Sequence, residues 1–322
     1  MLDASGSSRE VEWVRILVVG AGAVGGYFGA RLIQAGTDTA FLVRSARAQS
    51  LAGTGLALVE PDGSRAMVAA RALTATQLAE PWDVVLVAVK GSSLDGAMDD
   101  VAPAVGDSTA VLPLLNGIGH LARLVDRFGA GRVLGGVCEV ATELAPDGAI
   151  RQLVPGGMIR FGELDGSSSA RVAGIAQAFA AAPFASRTSE TIVQDMWEKW
   201  LFMASGGAVG VLLGGSVGDI AAVRGGSAAE GRIVDEALAV LEAAGHAARA
   251  EAAARVRSVL TADGSPFTTS LFRDFRAGRP TEGEAVIGDF VDLAEQHGVA
   301  VPLLAAAAVR LRVASTGPGG QA

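Results

Sequence analysis

Gly20, Gly22 and Gly25 spell G-x-G-x-x-G within the stretch GAGAVGG, with Ala23 and Val24 between the last two. In such a loop the first glycine permits a tight turn. The second lets a pyrophosphate reach the backbone, and the third lets helix and strand pack closely. The apolar run VRILVV (14–19) precedes the loop, a helical stretch ending at Gly36 follows, and TAFLVR (39–44) reads as the next strand. Strand, glycine turn, helix and strand together are what distinguish a dinucleotide site from an ordinary turn in a chain of 43 glycines. The expectation is that Gly20, Gly22, Ala23, Val24 and Gly25 bind a dinucleotide.

The end of the second strand selects among dinucleotides. A free ribose 2′-hydroxyl calls for Asp or Glu there. This chain has Arg44, followed by Ser45 and Arg47. A guanidinium can grip a 2′-phosphate with two hydrogen bonds, so Arg44 predicts NADPH. The plainer alternative, a solvated surface arginine, suits Arg47 better than Arg44 at a strand end.

Lys90 ends the run VVLVAVK, and Asn116 follows VLPLL. Both stand at the carboxyl ends of predicted strands, where doubly wound sheets bind ligands. A cap or turn role is the alternative for each. Further on, WEKWLFMASGGAVGVLLGG (197–215) opens with one lysine, Lys199, and has no further charge until Asp219. Its glycine content, with no second span and no basic flank elsewhere, favours a buried helix over a membrane segment. The stretch TTSLFRDFRAGRPTEGEAVIGDF (268–290) gathers Ser270, Arg273, Asp274, Arg279 and Glu282. Alone, such a cluster reads as a solvated helix and loop.

These residues need a scaffold. Further strands are predicted in WDVVLVAVK (82–90), TAVLPLLNG (109–117) and RVLGGV (132–137), alternating with helical stretches. That alternation predicts an α/β fold with a parallel, doubly wound sheet. VPGGMIRFGELDG (154–166) reads as a hairpin-type strand closing this part. After residue 187 the pattern turns helical, in SAAEGRIVDEALAVLEAAG (227–245) and GEAVIGDFVDLAEQHG (283–298). The expected plan is a disordered extension at 1–13, a Rossmann-like domain at 14–187 and an all-helical domain at 188–314. The tail STGPGGQA is expected to be disordered.

Half of the 322 residues are hydrophobic, 19% are charged and the net charge is −8 without a basic block, which argues against nucleic acid and anionic membrane as partners. The lone cysteine, Cys138, suits a reducing cytoplasm. His120, His246 and His297 lack ligand spacing, so no metal is expected.

In the order VVGAGAVGG, LVR, VLVAVK, LLNGIG, WEKWL, TSLFRDFRAGRPTE and EQHGVAVP, the chain resembles the ketopantoate (2-dehydropantoate) reductase family across residues 14–310. The resemblance implies NADPH-dependent reduction of a 2-oxo acid, a homodimer, a place in pantothenate synthesis, and an active site in a cleft between the two domains. It implies that Arg44 reads the 2′-phosphate, that Lys90, Asn116 and Glu282 lie at the cofactor, and that Lys199 and Glu282 are catalytic. Substrate contacts are implied for Asn116, Lys199 and Ser270. Hydride arriving at a carbonyl carbon leaves negative charge on oxygen, and a positioned ammonium stabilises that charge and supplies the proton.

The chain departs from the family on the helix after Lys199. The family has asparagines four and eight residues on, where this chain has Met203 and Gly207. All three positions share one helix face. Met203 and Gly207 therefore predict a substrate larger or more apolar than ketopantoate, with room beside Gly207. The alternatives are another carbonyl or an imine substrate, or a catalytically weak NADP-binding protein.

Overall fold

The computed structural model describes residues 14–316. The expected extension at 1–13 lies outside them. So does most of the tail, although Ser315 and Thr316 are helical, ending the helix Pro302–Thr316. The chain divides into two compact units: residues up to Leu114 with Leu124–Ile192, and Leu115–Arg123 with Val193 onward. The expected division fell at 187/188, and it gave no sign that 115–123 would leave the first unit for the second.

The first unit holds a five-stranded parallel sheet in the order Arg71–Leu73, Thr39–Leu42, Ile16–Val19, Val84–Val87, Ala110–Pro113. Ile16–Val19 sits at its centre and is buried along its whole length, which is why it is continuously apolar rather than alternating. The helix Ala23–Gln34 covers one face, with Gly29 so close to Phe41 that a Cβ there would fall 2.5 Å from the ring. Truncating a ring buried like that of Phe41 costs about 3–5 kcal/mol.

The run 132–137 joins the parallel sheet only through an isolated parallel bridge, Val133 to Val111, before it becomes the strand Leu134–Glu139. It pairs antiparallel with Met158–Glu163, which also pairs parallel with Ala185–Thr188 in a three-stranded sheet. A four-stranded sheet, Arg65–Val68, Leu56–Val59, Ile150–Gln152, Thr142–Leu144, completes the unit.

The described part of the second unit is helical. Its axis is the helix Ile192–Leu213, which holds Lys199. The run of glycines on it has a packing cause: a Cβ on Gly210 would meet the Phe272 ring at 2.6 Å, so the missing side chain lets Phe272 lie against the helix backbone. No helix among the described residues is long and apolar enough to cross a membrane. The next elements are well capped. Ser216 and Asp219 form a reciprocal capping box, and Glu236 accepts from the backbone N–H groups of Leu303 and Leu304 at the start of the last helix. Arg249 binds both Asp195 and Glu198, tying the loop after the helix Gly226–Ala243 to the Lys199 helix. The stretch 283–298 is not a regular α-helix throughout: Glu284–Gly288 is a π-helical turn, and α-helix resumes at Asp289–Gln296.

Candidate functional site

In the first unit the three motif glycines answer three different demands. Gly20 has φ +97°, a backbone that side-chain-bearing residues rarely adopt. A Cβ on Gly25 would lie 2.2 Å from the Gly20 carbonyl oxygen and 2.8 Å from the Ala88 Cβ, so only glycine lets the helix approach the strands. A Cβ on Gly22 would meet nothing within 4 Å. Gly22 is thus kept small by nothing inside the protein, as expected if its surroundings are reserved for a ligand. It is also the N-cap of the helix Ala23–Gln34, with no side-chain cap and no acidic residue in the first turn. Uncapped N–H groups at a helix start favour an anion, so this loop fits a dinucleotide pyrophosphate.

Arg44 is exposed at the end of the strand Thr39–Leu42, as N-cap of the helix Ser45–Thr54. Arg47 is not the solvated arginine expected. Its guanidinium donates to the carbonyls of Gly148 (3.2 Å) and Ala21 (3.4 Å), bracing the glycine loop from behind. Lys90 is exposed just past the strand Val84–Val87, at the N-cap of a short 3₁₀ turn.

The second unit contains Asn116, Lys199, Met203, Gly207, Ser270 and Glu282. Asn116 Nδ2 donates to Glu282 Oε2 at 3.2 Å, joining residues 166 positions apart. Two residues, Gly117 and Trp200, hold the segment that follows Glu282. Gly117 (φ +77°) packs so tightly on the π turn that a Cβ would lie 2.7 Å from the Ala285 carbonyl oxygen. The buried indole of Trp200 donates to the Val286 carbonyl at 2.9 Å. The Trp200 ring also stands edge-on to Phe290, 4.8 Å between centroids. Trp200 adjoins Lys199, so one helical turn holds both the amine and the indole that braces the segment after Glu282. π-Helical turns are rare and often mark functional sites.

Lys199 is half-buried, and Met203 lies half-buried one turn along. Gly207 does not open the space expected beside it. A Cβ there would already lie 3.3 Å from Ile287 and 3.6 Å from Leu271, which fill that volume. Ser270 is exposed at the start of the helix Ser270–Arg276, where Thr269 is the cap. The charged residues near it serve local structure: Asp274 pairs with Arg279 at 2.7 Å, and Arg273 donates to the Thr268 carbonyl.

Sequence reasoning passed over Trp200 and His120. His120 is 5% exposed, and neither ring nitrogen has a hydrogen-bond partner among the described residues. Burial, reinforced by the positive charges of Lys199 and Arg123, pushes it down to about 4, so it is neutral at physiological pH. The backbone of Asn116 offsets part of this cost from outside normal hydrogen-bond geometry. The available signal was its position four residues after Asn116, on an otherwise apolar helix face.

The sequence matches the family Ketopantoate reductase PanE/ApbA over residues 16–166 and Ketopantoate reductase PanE/ApbA C terminal over 191–314. The uncharacterized oxidoreductase YkpB of Bacillus subtilis is 31% identical over 291 residues, covering 90% of this chain and 95% of that protein. The 2-dehydropantoate 2-reductase of Mesorhizobium japonicum is 30% identical over 301 residues, covering 87% and 91%. Among solved structures, the 2-dehydropantoate 2-reductase of Geobacter metallireducens matches with a TM-score of 0.83 at 28% identity, covering 94% of this chain and all of that one. D-mandelate dehydrogenase, solved with NADH and anilino(oxo)acetate, shares the fold with a TM-score of 0.81 at 19% identity, covering 94% and 98%.

Proposed function

The chain belongs to the ketopantoate reductase family of oxidoreductases, and from that premise we propose that it reduces a 2-oxo acid to the 2-hydroxy acid with NADPH, Lys199 acting as general acid. The observation that carries this reading is the Asn116–Glu282 hydrogen bond in the unit that holds Lys199. Nothing in local sequence requires those two side chains to meet, and their meeting supports a shared site.

NADPH, when bound, supplies the hydride. Lys199 meets the negative charge that develops on the carbonyl oxygen and gives up a proton there. Glu282 orients the Asn116 amide through its hydrogen bond, leaving the amide oxygen to accept from a ligand. Ser270 offers a hydroxyl to the substrate carboxylate, and Lys90 contributes a positive charge toward the cofactor. Arg44 takes the 2′-phosphate. The same family reading makes the protein a cytoplasmic homodimer.

A second reading, a carbonyl or imine substrate other than ketopantoate, draws support from the helix face beyond Lys199. Met203 and the packed Gly207 put no amide there.

Cofactor choice tests the first reading. Wild type should bind NADPH more tightly than NADH by calorimetry. Arg44→Asp should weaken NADPH by about 1.5–3 kcal/mol, the worth of a hydrogen bond to a charged group, and should not weaken NADH, whose 2′-hydroxyl an aspartate there can accept. Equal affinity of wild type for the two cofactors would remove Arg44 from the account.

A further inference from the structure

Of the 26 lysines and arginines in this sequence only two are lysines, Lys90 and Lys199. A guanidinium stays charged in a protein, whereas an amine can give up its proton. Lys199 lies on the helix Ile192–Leu213, and Asp195 stands four residues before it. That spacing puts the two side chains on one helix face, with the acid on the N-terminal side, the order in which such a pair attracts best. Asp195 is only 5% exposed. A carboxylate buried that deeply requires a partner, and the amine one turn along is within its reach.

Asp195 is instead engaged from another segment. The Arg249 guanidinium, on the loop after the helix Gly226–Ala243, donates to Asp195 Oδ1 and to both carboxylate oxygens of Glu198. The Arg249 backbone N–H donates to Glu198 Oε1 as well, at 2.9 Å. Two further contacts fix this loop on the helix. Gln194 Nε2 donates to the Ala247 carbonyl at 3.0 Å, and the His246 ring stacks on Trp197 with centroids 4.3 Å apart. In the first turn Asp195 also suits the helix dipole, but that role needs no arginine from another segment. Glu198 adjoins Lys199 in sequence and so projects from a different side of the helix. The remaining titratable groups around this stretch leave Asp195 as the competing charge: His120 is neutral at physiological pH, burial pushes His246 down, and Glu282 is bonded to Asn116.

We propose that Arg249 is a positioning residue for the proton-donating amine: it holds the Asp195 carboxylate and so keeps that carboxylate from pairing with Lys199. This rests on the reading above in which Lys199 is the general acid. An amine paired with a buried carboxylate holds its proton more tightly and is drawn away from the substrate oxygen, and both slow proton transfer.

With two lysines in the chain, protein carrying isotope-labelled lysine reports the amine directly by NMR, the Lys199 resonance being the one missing from Lys199→Ala. Its titration midpoint should rise by roughly one pH unit or more in Arg249→Ala and return to the wild-type position when Asp195→Asn is added. Arg249→Gln, which can still donate to Asp195 but carries no charge, should shift the midpoint in the same direction and serves where Arg249→Ala does not fold. With the 2-oxo acid that wild type turns over fastest, the alkaline limb of the kcat–pH profile should move up with the midpoint, kcat at neutral pH should fall, and NADPH affinity should hold. An arginine that only braces the fold would lower stability and leave the midpoint in place, which overturns the proposal. A shift that persists with Asp195→Asn overturns it too, as does an alkaline limb that stays in place while the midpoint moves. The NMR measurement needs no turnover, so it separates this proposal from the reductase reading. The predicted midpoint shifts, with no 2-oxo acid reduced by wild type, would refute that reading and leave the control of Lys199 by Arg249 standing.

Discussion

At the glycine loop, all the pyrophosphate candidates come from the single stretch Gly20–Gly25, where backbone sterics dictate Gly20 and Gly25 and leave Gly22 open. In the second unit, Asn116, Lys199 and Glu282 come from three separate segments, with the Asn116 amide bonded to Glu282 and the Trp200 indole bonded to the π turn that follows it. The loop is a local backbone device, whereas the second site is a tertiary one. A local device tolerates little change in shape but any change in its distant neighbours. A tertiary one should respond to substitutions at residues that touch no ligand.

The sharpest way to break this contrast is at the loop itself. Gly25→Ala places a Cβ 2.2 Å from a backbone oxygen that cannot move aside. It should destabilise the first unit by about 3 kcal/mol or more and abolish cofactor binding. Gly22→Ala meets nothing within 4 Å, so denaturant unfolding should be unchanged while NADPH affinity falls. Equal losses of stability in both variants would show that Gly22 is a packing glycine after all.

The second unit should carry its own pH signature. His120 is held at about 4, below its ordinary 6.5, so on acidification the unfolded chain takes up a proton before the native one does. The stability it leaves intact above pH 6.5 is lost as pH falls through 6.5 toward 4, by up to about 3 kcal/mol. Glu230, fully buried with neither oxygen bonded among the described residues, is pushed up to about 7, first by burial and then by the charge of Asp263. Its slope is opposite: the native state holds a proton that the unfolded chain has released, so stability falls as pH rises from 4.5 toward 7. The two slopes partly cancel in the wild type. Denaturant titrations of His120→Phe should therefore show a stability gain over wild type that grows as pH falls below 6.5. A difference that does not vary with pH would contradict the burial of a neutral imidazole.

The smallest effect tests the tertiary argument most finely. Trp200→Phe removes the donor to the Val286 carbonyl and should cost about 1 kcal/mol of stability. If the π turn positions Glu282, turnover should fall several-fold while NADPH affinity holds. An unchanged kcat would make Trp200 a packing residue only.

The same contrast explains what could be read from sequence. The strand–glycine–helix unit was legible because its residues are neighbours in one short stretch. The central strands were legible because burial on both faces makes them continuously apolar. Arg65–Val68 and Ile150–Gln152 were not, the first being largely exposed with no clean alternation and the second only three residues long. Arg47 was misread as solvated because its partners are backbone carbonyls, one of them from Gly148, far along the chain. The space expected at Gly207 failed for a similar reason, since the side chains that fill it, Ile287 and Leu271, come from distant segments. Asn116 was legible from its place just past the strand run VLPLL, whereas the role of Glu282 was legible only through resemblance. The π turn is contacted by Gly117 and Trp200 from distant segments, which no helical period reveals.

The central claim is that this chain reduces 2-oxo acids with NADPH and that Lys199 delivers the proton. Steady-state NADPH oxidation by wild type and by Lys199→Ala, with ketopantoate and other 2-oxo acids as substrates, tests it most directly. The account predicts turnover by wild type and a kcat lower by roughly 10²–10⁴-fold in the variant, with NADPH affinity nearly unchanged. A Lys199→Ala enzyme that keeps most of its kcat, or a wild type that oxidises NADPH with none of these acids, would contradict it.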